Sequence, residues 1–301
     1  MRLSQIRVFL STVQSGSIRA AARMLDVSPP AITKSLRQLE EELHVRLLTR
    51  TQHGVTATPA GRAFLTRARV IQSELRKVEE ELSNFAGGRT GSVAFGVGPT
   101  HMILIVPEAV SQFRLEYPSV RLRIVEGPHP PLIQMVRDET LDFALGLRPE
   151  QTLDSSLVFR SLFRDNFVVA ARKGHPRRGA GSLAQLADAH WVTLTPRASR
   201  GGLIDQAFSL AGHPAPASVI DCESFTGIVA LLARSDMLTL TTRRLLASPF
   251  ARDLLQEIPV AERMPSITHA MFTRADSPLT KIAAAMAKAV TLAARQLARR
   301  E

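Results

Sequence analysis

The spacing of apolar residues changes character along the chain. Ala21, Ala22 and Leu25 give a short segment after Ser17 a small, close-packing apolar face, and Ser17 is placed to cap that helix. Asp26-Val27 reads as a turn. Ser28 then opens a second helix with Pro29 at its first position, where a missing N–H costs nothing. Ile32, Leu36, Leu39 and Leu43 recur at spacings of 4, 3 and 4, one stripe facing a core. Within His44–Thr58 two short alternating runs flank a Thr-Gln-His-Gly turn, the pattern of a small β-hairpin. Thr58-Pro59 restarts a helix as cap and first residue.

The next apolar series, Phe64, Ala68, Ile71, Leu75, Val78, Leu82 and Phe85, follows spacings of 4, 3, 4, 3, 4 and 3. That is an a/d seam over three heptads. It packs on a second copy or on its own domain, because an apolar stripe left in water is costly, and a helix that leaves one small domain and ends in a linker favours a dimer seam. The helix ends at the glycine cluster Gly87-Gly88-Arg89-Thr90-Gly91, a linker composition.

Beyond it the rhythm is that of an α/β domain. Strands are predicted at Ser92–Val97, around Val120–Ile124, at Leu141–Leu147, Phe167–Ala171, Trp191–Leu194, Val219–Cys222 and Met237–Leu240, and at about 267–273. Helices are predicted from Pro99 to Tyr117, near Pro131–Arg137, at about 183–188, 202–211 and 224–234, and from Pro278 to Arg299. This alternation predicts parallel sheets covered by helices on both faces.

Charge sharpens the picture. The chain carries a net +11, and residues 1–70 hold 11 Lys and Arg against four acids, so +7 lies in under a quarter of the length. At 100° per residue, Pro30, Thr33, Lys34 and Arg37 lie opposite the 32–43 stripe. With Ser28 and Pro29 they form a hydroxyl- and cation-bearing face at a helix N-terminus, the chemistry of phosphate and base-edge contact. Arg50 and His53 fall at or near the hairpin tip, within reach of a phosphate or the minor groove. An ordinary amphipathic hairpin with a solvated basic face satisfies the helical pattern alone.

Enzyme chemistry finds little support. Cys222 is the only cysteine and falls inside a predicted strand as a small buried hydrophobe. There is no Cys/His ligand spacing, no phosphate-binding loop and no Gly-x-Ser-x-Gly, and Gly96-x-Gly98 lacks the third glycine of a dinucleotide loop. No catalytic residue, metal site or cofactor is therefore expected. Residues 1–16 read as a polar amphipathic helix with Arg2, Gln5 and Arg7 rather than an export signal, and no apolar run has transmembrane length. A cytoplasmic location with no membrane partner is the expectation.

Residues 2–62 resemble the winged helix-turn-helix of LysR-type transcriptional regulators. Phe9, Gly16-Ser17, Ala21-Ala22, Leu25, Val27-Ser28, Pro30-Ala31-Ile32, Leu39-Glu40, Leu43, Leu47, Arg50, Val55-Thr56, Thr58 and Ala60-Gly61 carry the match. Pro29 stands where the family commonly has Gln, Thr33 for Ser, His44 for Gly, Arg46 for Pro and Leu48 for Phe. Loss of a base-reading amide at Pro29 means that operator preference does not transfer from relatives. The rest resembles the family's effector-binding half, with Leu141-Asp142-Phe143-Ala144, Gly174-His175-Pro176 and Ser182-Leu183 through Leu186 as landmarks.

The resemblance implies a mainly α winged helix-turn-helix at 1–58, a linker and dimerisation helix at 59–88, and a two-lobed domain at 92–301 of the periplasmic-binding-protein kind. One lobe is expected from about 92–161 and 267–301 and the other from about 162–266, joined by two crossover strands. A dimer of dimers on double-stranded operator DNA is implied, with RNA polymerase as a further partner and a small-molecule effector between the lobes. A solute receptor or an architectural DNA binder would each explain one part of the chain only. Ligands of such folds lie at strand carboxyl ends beside helix starts. That rule selects Gly98, Pro99, Thr100, His101, His129, Arg148, Thr195, Ser199 and Phe225, each of which turn or capping chemistry would also explain. For His101 the alternative is a partly exposed histidine. Gln14 to Arg19 and Glu223-Ser224-Phe225 are similar to regulators of p-aminobenzoyl-glutamate and toluenesulfonate utilisation. They imply an aromatic carboxylate or sulfonate as co-inducer.

Overall fold

The structure, a computed structural model, describes the chain apart from residues 52–53, 86–89, 149–154, 195–201 and 300–301. Its residues fall into two compact units, 1–88 with 137–140, and 89–136 with 141–301.

In the first unit α1 (Leu3–Ser15), α2 (Ile18–Leu25) and α3 (Pro29–Leu43) pack around Ile6, Phe9, Ala22, Ile32, Leu36 and Leu39. Ser17 Oγ accepts from the Ala20 amide at 3.4 Å, as a cap should. Ser28 sits in the cap position with extended backbone but makes no side-chain cap bond, so Pro29 alone marks the start of α3. The helices α2 and α3 stop on non-glycine residues in left-handed conformation, Asp26 (φ 53°) and His44 (φ 52°). At His44 this backbone suits the glycine expected from the family resemblance, since only glycine adopts it without a Cβ penalty.

β1 (Leu48–Thr51) and β2 (Gly54–Ala57) pair antiparallel as the expected wing. Glu40 on α3 holds its base, accepting from the amides of Leu47 (2.7 Å) and Leu48 (3.0 Å). Thr58 Oγ1 caps the long helix α4 (Pro59–Phe85) by accepting from the Gly61 amide at 2.9 Å.

The α4 seam divides. Phe64, Ala68 and Ile71 pack into the head's own core, with Ala68 fully buried and the Phe64 ring edge-on to Phe9 at 5.0 Å. The heptad pattern assigns these three to a dimer seam; they instead close the core that α1 and α3 leave open at one side. Leu75, Val78 and Leu82 stay exposed at 40%, 50% and 64%. Phe85 ends the helix, and its side chain lies outside the described residues.

The second unit is built on one sheet of order β10-β6-β11-β5-β3-β4, with β9 also paired to β6. Its strands are β3 (Ser92–Val97), β4 (Arg121–Glu126), β5 (Phe143–Leu147), β6 (Leu157–Arg172), β9 (Thr239–Thr242), β10 (Leu255–Ile258) and β11 (Ser266–Arg274). A separate parallel pair is formed by β7 (Trp191–Thr193) and β8 (Val219–Asp221). Among the described pairings β3–β4, β3–β5, β7–β8 and the single Trp191–Leu238 bridge are parallel; β11, β9 and β10 run antiparallel to their partners. The expected parallel sheets are thus mixed, because the chain crosses between lobes on β6 and returns on β11. β6 reaches ten residues earlier than its predicted start at Phe167. Its first half pairs with β11 and its second with β9 and β10.

Helices complete two cores. In the first lobe α5 (Pro99–Leu104), α6 (Val106–Glu116) and α11 (Lys281–Ala298) cover one face of the sheet, and α7 (His129–Arg137) covers the other. In the second lobe α8 (Leu203–Leu210) lies on one side, with α9 (Phe225–Arg234) and α10 (Arg243–Leu246) on the other. The predicted helix Pro99–Tyr117 breaks at Ile105 (φ −120°), because Pro107 lacks the N–H that a continuous helix would need there. The predicted helix at 183–188 is a single 3-10 turn at 184–186. Cys222 lies just past β8 and is half-exposed, not a buried strand residue. Among the described residues no helix is long and apolar enough to cross a membrane.

Candidate functional site: the DNA-reading face and the effector lobes

On α3 the buried stripe fixes which residues face outward. Ile32, Leu36 and Leu39 lie at 0–7% exposure, so Ser28, Pro29, Pro30, Lys34 and Arg37 project into solvent and Thr33 is half-buried beside them. Arg37 does not stand free: its Nε donates to Glu41 Oε1 at 2.6 Å one turn on. Arg50 is exposed on β1, while His53 lies outside the described residues. The wing is anchored to the helical part by the Val55 amide, which donates to Gly16 O at 2.8 Å across the chain.

In the first lobe Gly98 follows β3 in the cap position of α5, its amide bonded to Leu145 O at 3.2 Å, and Pro99 opens the helix. Thr100 is half-buried. His101, for which partial exposure is the alternative reading of the sequence, is only 2% exposed, because α5 turns its ring inward against β11. There His101 Nε2 meets His269 Nδ1 at 2.9 Å. His129 opens α7, its ring edge-on to Phe272 at 4.6 Å and filling the space that a Cβ on Gly146 would occupy. Arg148 is exposed just after β5. Phe225 begins α9 and is tilted against Phe250 at 6.0 Å. Thr195 and Ser199 lie outside the described residues.

All three histidines are held uncharged at neutral pH. Burial pushes His101 well below the usual imidazole range, with His269 and His129 adding to it. Burial alone lowers His129 to about 4. His269 also falls to about 4, from burial first and the nearby Arg244 guanidinium second. Nothing in the sequence singles out His269: it lies in a run of four consecutive buried residues of β11, and no local signal marks its partner. Among the described residues no group of three or more His, Cys, Asp or Glu is arranged to hold a metal ion.

The exposed basic helix face and the two lobes have counterparts in known proteins. Residues 3–62 match the bacterial regulatory helix-turn-helix protein, lysR family, and residues 86–294 match the LysR substrate binding domain. The HTH-type transcriptional regulator GalR of Pseudomonas putida is 32% identical over 258 residues, 85% of this chain and 65% of that protein. The match therefore spans just under two thirds of GalR's length. TdcA of Escherichia coli is 27% identical over 87% of this chain and 84% of its own. Among solved structures, a full-length OxyR variant from Pseudomonas aeruginosa superposes with a TM-score of 0.71 at 21% identity, covering 97% of this chain and 95% of that one. CbnR gives 0.70 at 19% identity, covering 98% and 99%, and at such identities the two likenesses speak for the fold alone. Two domain matches that together take in most of the chain leave one assignment: it belongs to the LysR family of transcriptional regulators, with a helix-turn-helix head and a two-lobed effector-binding domain.

Proposed function

We propose that this regulator reads a two-fold-related operator through the exposed face of α3 and the wing, under control of a small organic acid. The observation that carries the reading is the outward face of α3. Ser28, Pro29, Pro30, Lys34 and Arg37 are exposed together, opposite the buried Ile32, Leu36 and Leu39, with Arg50 exposed on the wing. Lys34 and Arg50 supply phosphate contacts, and Thr33 and Ser28 supply hydroxyls for base edges. Pro29 contributes shape and no hydrogen bond. We assign residues 1–58 to the reading head, 59–88 to the coupling helix and 92–301 to the effector module.

The exposed apolar residues Leu75, Val78 and Leu82 are the part of α4 available to a second copy, which supports a dimer and, by pairing of dimers, a tetramer. For the effector, the neutral His101 and His129 bring no positive charge, and α5 is too short to contribute much dipole. The counter-charge for an aromatic carboxylate or sulfonate therefore falls to Arg148, with Thr100 and Phe225 as polar and aromatic contacts, and Gly98 and Pro99 beside Thr100 at the start of α5. The protein acts in the cytoplasm, without an enzymatic step, and hands its signal to RNA polymerase.

Fluorescence anisotropy of the full chain on DNA from upstream of its own gene tests the first half. Saturable, salt-sensitive binding is expected, and no binding at low salt overturns it. A thermal-shift panel tests the effector class. Stabilisation by 4-aminobenzoate or toluenesulfonate is expected; stabilisation by an amino acid or sugar phosphate alone overturns the aromatic-acid assignment.

A further inference from the structure

The two crossover strands are not the only link between the lobes. Phe163 lies on β6 and His269 opposite it on β11, where the register slips by one residue between His269 and Ala270. Such bulges re-aim a side chain and bend the strand. The two rings stack at 4.3 Å and 13°. On one side of this pair His269 Nδ1 meets His101 Nε2 of α5 at 2.9 Å. On the other, the Arg244 guanidinium of α10 lies 5.6 Å from the Phe163 ring centre, and the same group donates to Leu297 O at 2.8 Å, near the end of α11. Arg244 belongs to the second lobe, whereas α5 and α11 belong to the first. Phe163, His269 and His101 are all buried, at 7%, 0% and 2% exposure.

We propose that Arg244, Phe163, His269 and His101 form a bearing that sets the angle between the lobes, with Arg244 and His269 as positioning residues for the effector cleft. The bare strands supply a backbone ladder that twists readily. The column adds a side-chain path from α10 to α5, the helix that carries Thr100 in the effector reading proposed above, and a cation beside the last carbonyls of α11, where the helix dipole favours it. Stacked planes slide on one another at little cost but resist separation, which suits a joint that turns without opening. The column also has to stay uncharged at its centre. A protonated His269 would face Arg244 from α10 and share its inner hydrogen bond with His101, while His129 of α7 lies electrostatically close to His101 and the Asp165 carboxyl of β6 faces Thr242 and Arg244.

Hydrogen exchange of the full chain, read by mass spectrometry, tests this without any effector. Arg244→Ala should speed exchange on the order of tenfold in residues 98–104 and in the last turn of α11, both in the lobe that does not contain Arg244. His269→Leu should loosen 98–104 similarly. His269→Asn, whose side-chain amide can replace Nδ1 toward His101, should keep protection near that of the parent. Faster exchange confined to residues 239–258 in Arg244→Ala overturns the bearing. So does His269→Asn behaving like His269→Leu, and should the Leu variant not fold, an Asn variant already loosened at 98–104 overturns it equally.

Discussion

The Val55 amide donates to the Gly16 carbonyl at 2.8 Å, so the wing is pinned to the turn that enters the helix-turn-helix. The pin depends on close approach. A Cβ on Gly54 would lie 2.5 Å from Gly16 O, and Gly54 has φ of 128°, a backbone that side chains rarely adopt. Gly54→Ala should cost about 2–4 kcal/mol in the head and displace the wing. Gly16 also has positive φ, 63°, but nothing lies within 4 Å of its added Cβ. Gly16→Asn should therefore cost under about 1 kcal/mol. Urea midpoints of the two variants, with operator anisotropy alongside, check the contrast.

Lys34 and Arg37 share a face but not a state. Lys34→Ala should weaken operator binding across sequences and lower the slope of log K against log salt by about 1. Arg37 begins with its guanidinium tied to Glu41, so part of any DNA contact is offset by breaking that exposed pair. Glu41→Gln should release it and tighten binding by about two- to fivefold at low salt. Salt titrations of anisotropy with the same duplex read both effects. An unchanged salt slope in Lys34→Ala would show that α3 meets DNA by another face.

The two halves of the α4 seam should separate experimentally. Phe64→Ala should lower the stability of the head by about 2–4 kcal/mol, because it opens a space against Phe9. Leu82→Ser, at a residue 64% exposed, should leave stability within about 0.5 kcal/mol while shifting the chain to smaller assemblies. Sedimentation equilibrium against protein concentration distinguishes them. A Leu82→Ser chain that assembles like the parent would place the copy-to-copy contact elsewhere.

What the sequence makes legible follows the distance over which each feature is encoded. The head is written locally: Ser17, Pro29, Thr58 and the 4-3-4 stripe each act within a turn or two, and the structure places them accordingly. The split of the α4 seam is not local, since Phe64 pairs with Phe9 and the periodicity that brings both to a core reads equally well as a dimer seam. β6 is half-legible: its Phe167–Ala171 stretch is buried and apolar, while 157–166 alternates with exposed residues such as Arg160 and Arg164. The His101–His269 contact joins residues 168 positions apart, and no spacing rule reaches that far.

His101, His129 and His269 should also make the effector domain acid-sensitive in a definite window. Each has its folded pKa depressed from an ordinary value of 6.5, His129 and His269 to about 4. Below pH 6.5 the unfolded chain takes up protons that the folded chain refuses, so the unfolded state binds more protons and stability falls with falling pH. The loss runs from pH 6.5 down to about 4 and is absent above about 7. For His269 alone the full extent is on the order of 3 kcal/mol. Most carboxylates are still ionised between about pH 7 and 5, so that range isolates the histidines. Urea denaturation of the full chain there should show a stability slope that is smaller in His269→Asn, which keeps the geometry toward His101 but cannot titrate. Equal slopes in the two proteins would mean that His269 takes up its proton in the folded state, and that the column tolerates a charge beside Arg244.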